Sequence, residues 1–180
     1  MIIGNGLLAN GFLKDESIYN NYIIFASGVS NSKENDELNF KREKELIIKT
    51  INENKNLIFI YFSSILVSIS NNDYYRHKLD IENLIKNQAN KYIIFRIPQV
   101  IGKNGNSNNL VNYLKHAILN EELIIAYEYV KRSLLDIDDL VNIVNFCKHI
   151  DNNTVYISGI EKIDVCDLIN KIGDILNKEP

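Results

Sequence analysis

The chain has 180 residues, 46% of them hydrophobic, which is enough for one buried core and too few for two domains of ordinary size. A net charge of -3 leaves no basic stripe to neutralise phosphates, so we expect no nucleic-acid partner. The apolar N-terminal stretch is short and has no basic residues before it, so we expect it to be neither a signal peptide nor a membrane span. This favours a cytoplasmic protein. Cys147 and Cys166 lack the spacing of metal ligands, so no metal site is predicted.

Strand and helix patterns alternate along the chain. Short β-branched or aromatic runs predict buried strands at Met1–Ile3, Tyr22–Ala26, Leu57–Phe62, Tyr92–Ile97 and Thr154–Ile157. Helical periodicity predicts helices at Gly6–Leu13, Phe40–Asn54, Tyr74–Asn90, Leu110–Leu119, Ile137–His149 and Ile163–Leu176. This order predicts an α/β fold, a three-layer sandwich around a mainly parallel sheet, in a single domain of residues 1–180. Pro98 directly follows a predicted strand, and we expect the chain to leave the sheet there into a loop.

Sheets of this kind bind ligands beyond the carboxyl ends of their strands. The segments in that position are Gly4–Gly6, Ser27–Gly28, Ser63–Ser64 and Pro98–Val100. The first belongs to the run Gly4-Asn5-Gly6-Leu7-Leu8-Ala9, whose glycines permit a tight turn and let backbone N–H groups approach a pyrophosphate. A plain strand-to-helix turn is the alternative interpretation of the same residues.

The residue that usually confirms a dinucleotide site is missing. A charged residue at the end of the second strand commonly holds the adenosine ribose or its phosphate. The predicted strand Tyr22–Ala26 instead continues as Ser27-Gly28-Val29-Ser30, without a carboxylate or an arginine. This ending is typical of a later strand, one that lies beside the nicotinamide half of a cofactor.

Tyr74 and Lys78 are spaced to share one face at the start of a predicted helix. A nearby ammonium stabilises a phenolate by charge attraction, which a tyrosine acting as general acid or base requires. A solvated helix start, inherited from an active ancestor, is the alternative.

Taken in order, four segments resemble the extended short-chain dehydrogenase/reductases, the NAD-dependent epimerase/dehydratase family that acts on nucleotide sugars. They are the glycine loop Gly4–Ala9, the pair Ser63–Ser64 with Tyr74 and Lys78, the run Arg96–Gly102 that is similar to R-x-x-x-V-x-G, and the run Arg132–Asp139 that is similar to R-D-F-I-H-V-D-D.

The resemblance implies an NAD or NADP cofactor and a nucleotide-sugar substrate, in surface-polysaccharide synthesis. It implies a catalytic set in which Tyr74 exchanges a proton, Lys78 binds the nicotinamide ribose and Ser64 bonds the reacting oxygen, with Ser63 and Ser68 as substitutes for Ser64. The implied cofactor-binding residues are Gly4, Asn5, Gly6, Leu7, Leu8, Ser27, Gly28, Ser63, Lys78, Pro98, Gln99 and Val100. The implied substrate-binding residues are Arg132, which would hold phosphates, and Asn104, in a small substrate-side portion at about residues 103–136. For Arg96 we expect a structural ion pair with a carboxylate.

The chain also departs from the family. It passes from its first helix directly to the family's fourth strand, so the second and third strands, which carry the adenosine half of the site, are missing. Met1–Ile3 then becomes a sheet edge, and exposed edges are usually covered or paired. The resemblance suggests a homodimer through the helices Phe40–Asn54 and Tyr74–Asn90. The missing strands also favour an alternative, a catalytically silent module that binds a nucleotide sugar or a partner subunit.

Overall fold

The computed structural model describes residues 1–14, 16–103, 109–159 and 162–178. The strands are β1 (Ile2–Ile3), β2 (Tyr22–Phe25), β3 (Ile58–Ser64), β4 (Tyr92–Ile97), β5 (Gln99–Ile101), β6 (Lys131–Asp136), β7 (Asn153–Tyr156) and β8 (Lys162–Asp164). The helices are α1 (Leu7–Leu13), α2 (Glu37–Glu53), α3 (Asp73–Gln88), α4 (Leu110–Leu119), α5 (Ile137–Cys147) and α6 (Val165–Leu176), with a 3-10 turn at Glu16–Tyr19. In this part of the chain, no helix is both long and apolar enough to cross a membrane.

The main sheet has five strands in the order β1-β2-β3-β4-β7, and all its neighbouring pairs are parallel. The predicted α/β fold is therefore confirmed, and each predicted strand is present within a few residues of its expected bounds. Among the described residues nothing pairs with the outer side of β1, so this strand is an edge of the sheet, as expected from the sequence.

The helices cover both faces of the main sheet. Phe12 of α1 and Leu140 of α5 pack with Ile24 and Ile60, on what we call the α1/α5 face. Ile47 of α2 and Ile81 and Ile85 of α3 pack with Ile23 and Phe59 on the opposite, α2/α3 face, as the alternation of side chains along a strand requires. The chain therefore leaves the adjacent strands β1 and β2 toward opposite faces, and a crevice opens between their carboxyl ends.

A second, smaller sheet, ordered β5-β6-β8, was not predicted. The expected loop exit at Pro98 is wrong, because β5 begins at the next residue and pairs with β6, so the proline separates strands of different sheets. The expected helix start at Ile163 is also wrong, since this residue lies in β8 and α6 begins at Val165. Asp164 ends the strand and caps the helix, its side chain accepting a hydrogen bond from the Cys166 backbone N–H.

Side-chain hydrogen bonds determine where the two helices of the α2/α3 face begin. The Asp36 side chain accepts from the Leu38 N–H, so α2 begins at Glu37 and not at Phe40 as predicted. The Asn72 side chain accepts from the Tyr75 N–H, and α3 begins at Asp73.

Candidate active site

Two glycine-containing loops meet at the crevice between β1 and β2. Gly4 has φ of +128°, and a Cβ there would lie 2.4 Å from the Ala26 carbonyl oxygen, so only glycine lets the loops approach so closely. A Cβ on Gly6 would meet nothing within 4 Å, which leaves open space above this loop. Across the crevice, the Arg42 guanidinium donates to the Ser27 carbonyl oxygen at 3.1 Å. Backbone groups and one exposed arginine thus border the opening.

Gly28 connects this crevice to Lys78. A Cβ on Gly28 would lie 2.9 Å from Lys78 Nζ and 2.7 Å from Glu43 Oε1, so the absence of a side chain makes room for both charged groups. Tyr74 lies on the same face of α3, with Lys78 Nζ 5.7 Å from the centre of its ring. Both side chains are buried. The structure therefore brings the predicted cofactor loop and the Tyr74–Lys78 pair into one neighbourhood.

Lys78 is held in a buried polar cluster. Its Nζ donates to Glu43 Oε1 at 3.2 Å and to the Tyr61 hydroxyl at 2.9 Å, and only 3% of the residue is exposed. The Tyr61 hydroxyl in turn donates to Glu43 Oε1 at 2.8 Å. Burial raises the pKa of Tyr61 well above its usual range, so this phenol remains a neutral donor at physiological pH.

Glu43 is the residue that the sequence reasoning missed. It is fully buried on α2, and its second carboxylate oxygen accepts from the Val29 N–H at 2.7 Å and lies 3.1 Å from His77 Nε2. Burial alone would raise the pKa of Glu43, but the Lys78 ammonium, with hydrogen bonds from His77, Val29 and Tyr61, outweighs burial and lowers the pKa from 4.5 to about 2. The carboxylate therefore stays charged throughout the physiological range.

A signal for Glu43 was present in the sequence. It stands on the stripe of α2 that continues with the buried Ile47 and Ile51, where a heptad-like pattern calls for an apolar residue. Lys78 occupies the same kind of position on α3. Opposite charges within the apolar stripes of adjacent helices indicate a buried pair.

The candidate serines lie on different faces of the sheet. Ser64 pairs in register with Ile97, which belongs to the α1/α5 core, and its Oγ accepts from the Leu66 N–H at 3.2 Å. Ser63 points to the opposite face, that of Tyr61 two residues earlier. Its buried hydroxyl has no hydrogen-bond partner within the described part of the chain. The structure thus separates Ser64 from the Tyr74–Lys78 pair and leaves Ser63 on the side of that pair.

Arg96 has the structural role predicted for it. Its Nε and Nη2 donate to the two carboxylate oxygens of Glu82 at 2.9 and 2.7 Å, and both residues are buried. Its Nη1 donates to the hydroxyls of Ser68 and Tyr156, at 2.8 and 2.6 Å. The Ser68 hydroxyl is therefore already hydrogen-bonded to the arginine of this ion pair.

The remaining predicted site residues lie in several different environments. Leu7 and Leu8 pack partly buried against the α1/α5 core, as does Val100, whereas Asn5 is exposed. Gln99 begins β5, one residue after Pro98.

Arg132 is exposed on β6 and lies close enough to the start of α3 to affect Tyr75. Burial raises the pKa of Tyr75, and the charge of Arg132 opposes that rise. Asn104 lies outside the described residues.

The residues present fit one half of a nicotinamide dinucleotide. The open space over Gly6 suits a diphosphate on backbone groups, and Gly28 of the adjoining loop packs against Lys78, the residue that would hold the ribose. The adenosine half has no counterpart, since β1 is the edge of the sheet in the described residues.

Comparison of the sequence with models of protein families gives no match, and comparison with curated proteins gives none either. Solved structures do match. A dTDP-glucose 4,6-dehydratase from Bacillus anthracis, in complex with NAD, matches with a TM-score of 0.72 and 12% identity over 98% of this chain and 64% of that one. The enzyme WbmH from Bordetella bronchiseptica, in complex with NAD+, matches with a TM-score of 0.73 and 11% identity over 97% of this chain and 65% of that one.

A UDP-glucose 4-epimerase from Thermotoga maritima, with UDP-glucose, matches with a TM-score of 0.70 and 16% identity over 89% of this chain and 62% of that one. These likenesses show the fold, which is that of the NAD-dependent epimerases and dehydratases, as the four segments predicted. The chain spans less than two thirds of the length of these structures.

Proposed function

We propose that the protein is a nucleotide-sugar epimerase, dehydratase or reductase of the NAD(P)-dependent kind, in surface-polysaccharide synthesis. The observation that supports this most is the β1/β2 crevice, where the loop with open space over Gly6 adjoins Gly28, which packs directly against Lys78 of the Tyr74–Lys78 pair. The cofactor, NAD or NADP, would be held at its diphosphate and nicotinamide side by Gly4–Gly6 and Ser27–Gly28. When bound, it would supply hydride transfer.

The chain's own groups supply the proton chemistry. Tyr74 would exchange a proton with a sugar hydroxyl or ketone, since its ring borders Lys78 at the carboxyl end of the sheet. Ser63 would bond the reacting oxygen in place of Ser64, because its buried hydroxyl is on the α2/α3 face and has no partner in the described residues. Arg132, exposed near Tyr75, would hold a phosphate of the substrate, on the side formed by residues 103–136.

The first experiment is titration calorimetry of the folded protein with NAD, NADH, NADP and NADPH. Binding at micromolar strength, about 8 kcal/mol, is the expected result for one of them. Turnover is then sought with UDP- and dTDP-sugars, and Tyr74→Phe should abolish it because that change removes only the phenolic hydroxyl. Tyr75→Phe is the matched control, since the adjacent ring carries the same hydroxyl on another side of the helix. Unchanged turnover in Tyr74→Phe would contradict the acid/base role.

A second candidate is a catalytically silent module that binds a nucleotide sugar or a partner subunit. The ion pair between Lys78 and Glu43 favours it, because the lysine is already engaged. So does the position of Ser64, which bonds the Leu66 N–H on the other face. Binding of a nucleotide sugar in calorimetry, together with no binding of any of the four dinucleotides, would support this candidate over the enzyme.

We also propose a homodimer through α2 and α3, as the resemblance suggests. The outer face of these helices carries charged residues and Leu38, which is 74% exposed. Light scattering at working concentration should give twice the mass of the chain. The Leu38→Glu variant should give a lower mass. A monomeric mass in the unaltered protein would contradict the dimer.

A further inference from the structure

An exposed apolar strip runs along the segment between α4 and β6. The chain is irregular at 122–127 and turns at Glu128–Tyr129. Ile124, Ala126 and Val130 pack, partly buried, against the cluster that α4 and α6 form. The alternate side chains point away from that cluster and are between 75% and 87% exposed. We call these four residues the 123–129 strip: Leu123, Ile125, Tyr127 and Tyr129.

The 123–129 strip is more than a set of isolated exposed side chains. Two tyrosines and two aliphatic residues offer on the order of 600 Å² of largely apolar surface. A patch of this size on a protein surface generally marks an interaction site. The segment is anchored at both ends, because the Glu122 N–H donates to the Ala117 carbonyl oxygen and the Val165 N–H donates to the Val130 carbonyl oxygen, each at 2.9 Å. The strip is therefore presented on a fixed backbone.

The two ends of the strip carry opposite charges. Glu121 and Glu122 precede it, Lys131 and Arg132 follow it, and all four are exposed. Both glutamates make only exposed ion pairs within the chain, which contribute little and leave the carboxylates available. A second copy lying antiparallel on the strip would bring an acidic end onto a basic end twice. A parallel copy would instead bring like charges together, which opposes association.

The apolar side chains also match in an antiparallel arrangement. Centred on Ala126, such an arrangement places each aliphatic residue of the strip opposite a tyrosine of the second copy, and places Glu121 opposite Lys131. Pairs of aromatic and aliphatic side chains in this relation are favourable. Two copies together would bury about 1,200 Å², which is the lower end of the range for specific interfaces.

We propose that the 123–129 strip is a self-association surface, which packs antiparallel against the same strip of a second copy of the chain. This inference goes beyond the proposed function and uses elements other than α2 and α3. A chain that formed both contacts would assemble beyond the dimer. An anionic membrane fits the strip less well, because Glu121, Glu122 and Glu128 would meet a surface of their own charge.

The test is light scattering over a concentration series from about 1 to about 300 µM. It uses the Leu38→Glu protein, so that the contact proposed for α2 and α3 does not contribute. The mass should rise from one chain and level at two, with a dissociation constant on the order of 10 µM for an interface of this size. Adding Tyr127→Lys should weaken the association by at least about tenfold, because one contact contains this residue twice.

Phe146→Lys is the matched control. Phe146 is an aromatic residue of α5 that is 85% exposed and lies outside the strip, so this change should leave the association as it was. A mass that stays at one chain, or one that continues to rise past two, overturns the proposal, since a self-complementary contact closes at two. Equal losses in Tyr127→Lys and Phe146→Lys overturn it as well. So does binding to anionic vesicles that Tyr127→Lys abolishes, in a protein that does not self-associate.

Charge reversal tests the antiparallel arrangement. Glu121→Lys and Lys131→Glu should each weaken the association about fivefold, because each places like charges at both ends of the contact. The double variant Glu121→Lys/Lys131→Glu should restore it. A double variant that associates no better than the single variants overturns the arrangement.

Neutral variants keep this test decisive if Lys131→Glu, which lies opposite Asp164 of β8, does not fold. Glu121→Gln and Lys131→Gln should each weaken the association, and combining them should add no further loss, because each removes the same pair. Fully additive losses would show that the two residues do not meet, and would overturn the arrangement. Neither result depends on cofactor binding or turnover, so failure of the proposed function leaves this test unaffected.

Discussion

Glu43 should make the protein lose stability in acid. Its pKa is about 2 in the folded chain against an ordinary 4.5, a difference that corresponds to about 3 kcal/mol of unfolding free energy at neutral pH. Because the folded pKa is the lower one, this stabilisation is complete above the ordinary pKa. It is lost as the pH falls from about 4.5 toward 2, where the unfolded chain binds the proton more tightly.

Urea denaturation followed by circular dichroism, at a series of pH values from 7 down to about 2, measures this loss. Between pH 5 and 2 the unaltered protein should lose about 3 kcal/mol more than the double variant Glu43→Gln/Lys78→Met, which has no carboxylate to protonate at this position. Glu45→Gln, whose carboxylate is exposed, should follow the unaltered protein. Parallel pH profiles for the double variant and the unaltered protein would refute the assignment of the acid-sensitive group to Glu43.

Three substitutions test other parts of the site by thermal or urea unfolding. Gly4→Ala should destabilise the protein by about 1–3 kcal/mol, because it combines strain at φ of +128° with contact at the Ala26 oxygen, and an unchanged melting temperature would count against the close approach. Arg96→Met should cost about 3–5 kcal/mol, since it leaves the carboxylate of Glu82 buried and unpaired, and a loss below about 1 kcal/mol would indicate that water reaches this carboxylate. Ser63→Ala should leave stability unchanged or raise it slightly, because the hydroxyl has no partner in the described residues, whereas a loss above about 1 kcal/mol would reveal one.

The central strands of the main sheet could be predicted because they are largely apolar runs. Residues such as Ile58–Ser64 and Tyr92–Ile97 are buried on both faces, and runs of this kind are typical of parallel strands between helices. The smaller sheet could not be predicted in the same way. Its strands Gln99–Ile101 and Lys162–Asp164 have only three residues each, too few to show an alternation, and their partner Lys131–Asp136 begins with exposed charges.

For the candidate site, the sequence could predict which side chains share a face of one helix, but not which side chains meet across different helices. Helical spacing is local, so it placed Tyr74 and Lys78 on one face. The partner of Lys78 is Glu43, which lies 35 residues away and meets the lysine only because α2 and α3 pack side by side. The choice between Ser63 and Ser64 also depends on how the elements assemble, since a shift of one residue along a strand moves a side chain to the other face.

The crevice between β1 and β2 requires a crossover of unusual hand. The steps from β1 to β2 and from β2 to β3 run in the same direction across the sheet, but α1 and α2, which make them, lie on opposite faces. One of the two crossovers is therefore left-handed, against a strong general preference. Since β1 also has only two residues, we expect it to dock late in folding and to show the fastest amide exchange in the sheet. A ligand that bridges Gly4–Gly6 and Ser27–Gly28 would then hold the carboxyl end of β1 against that of β2.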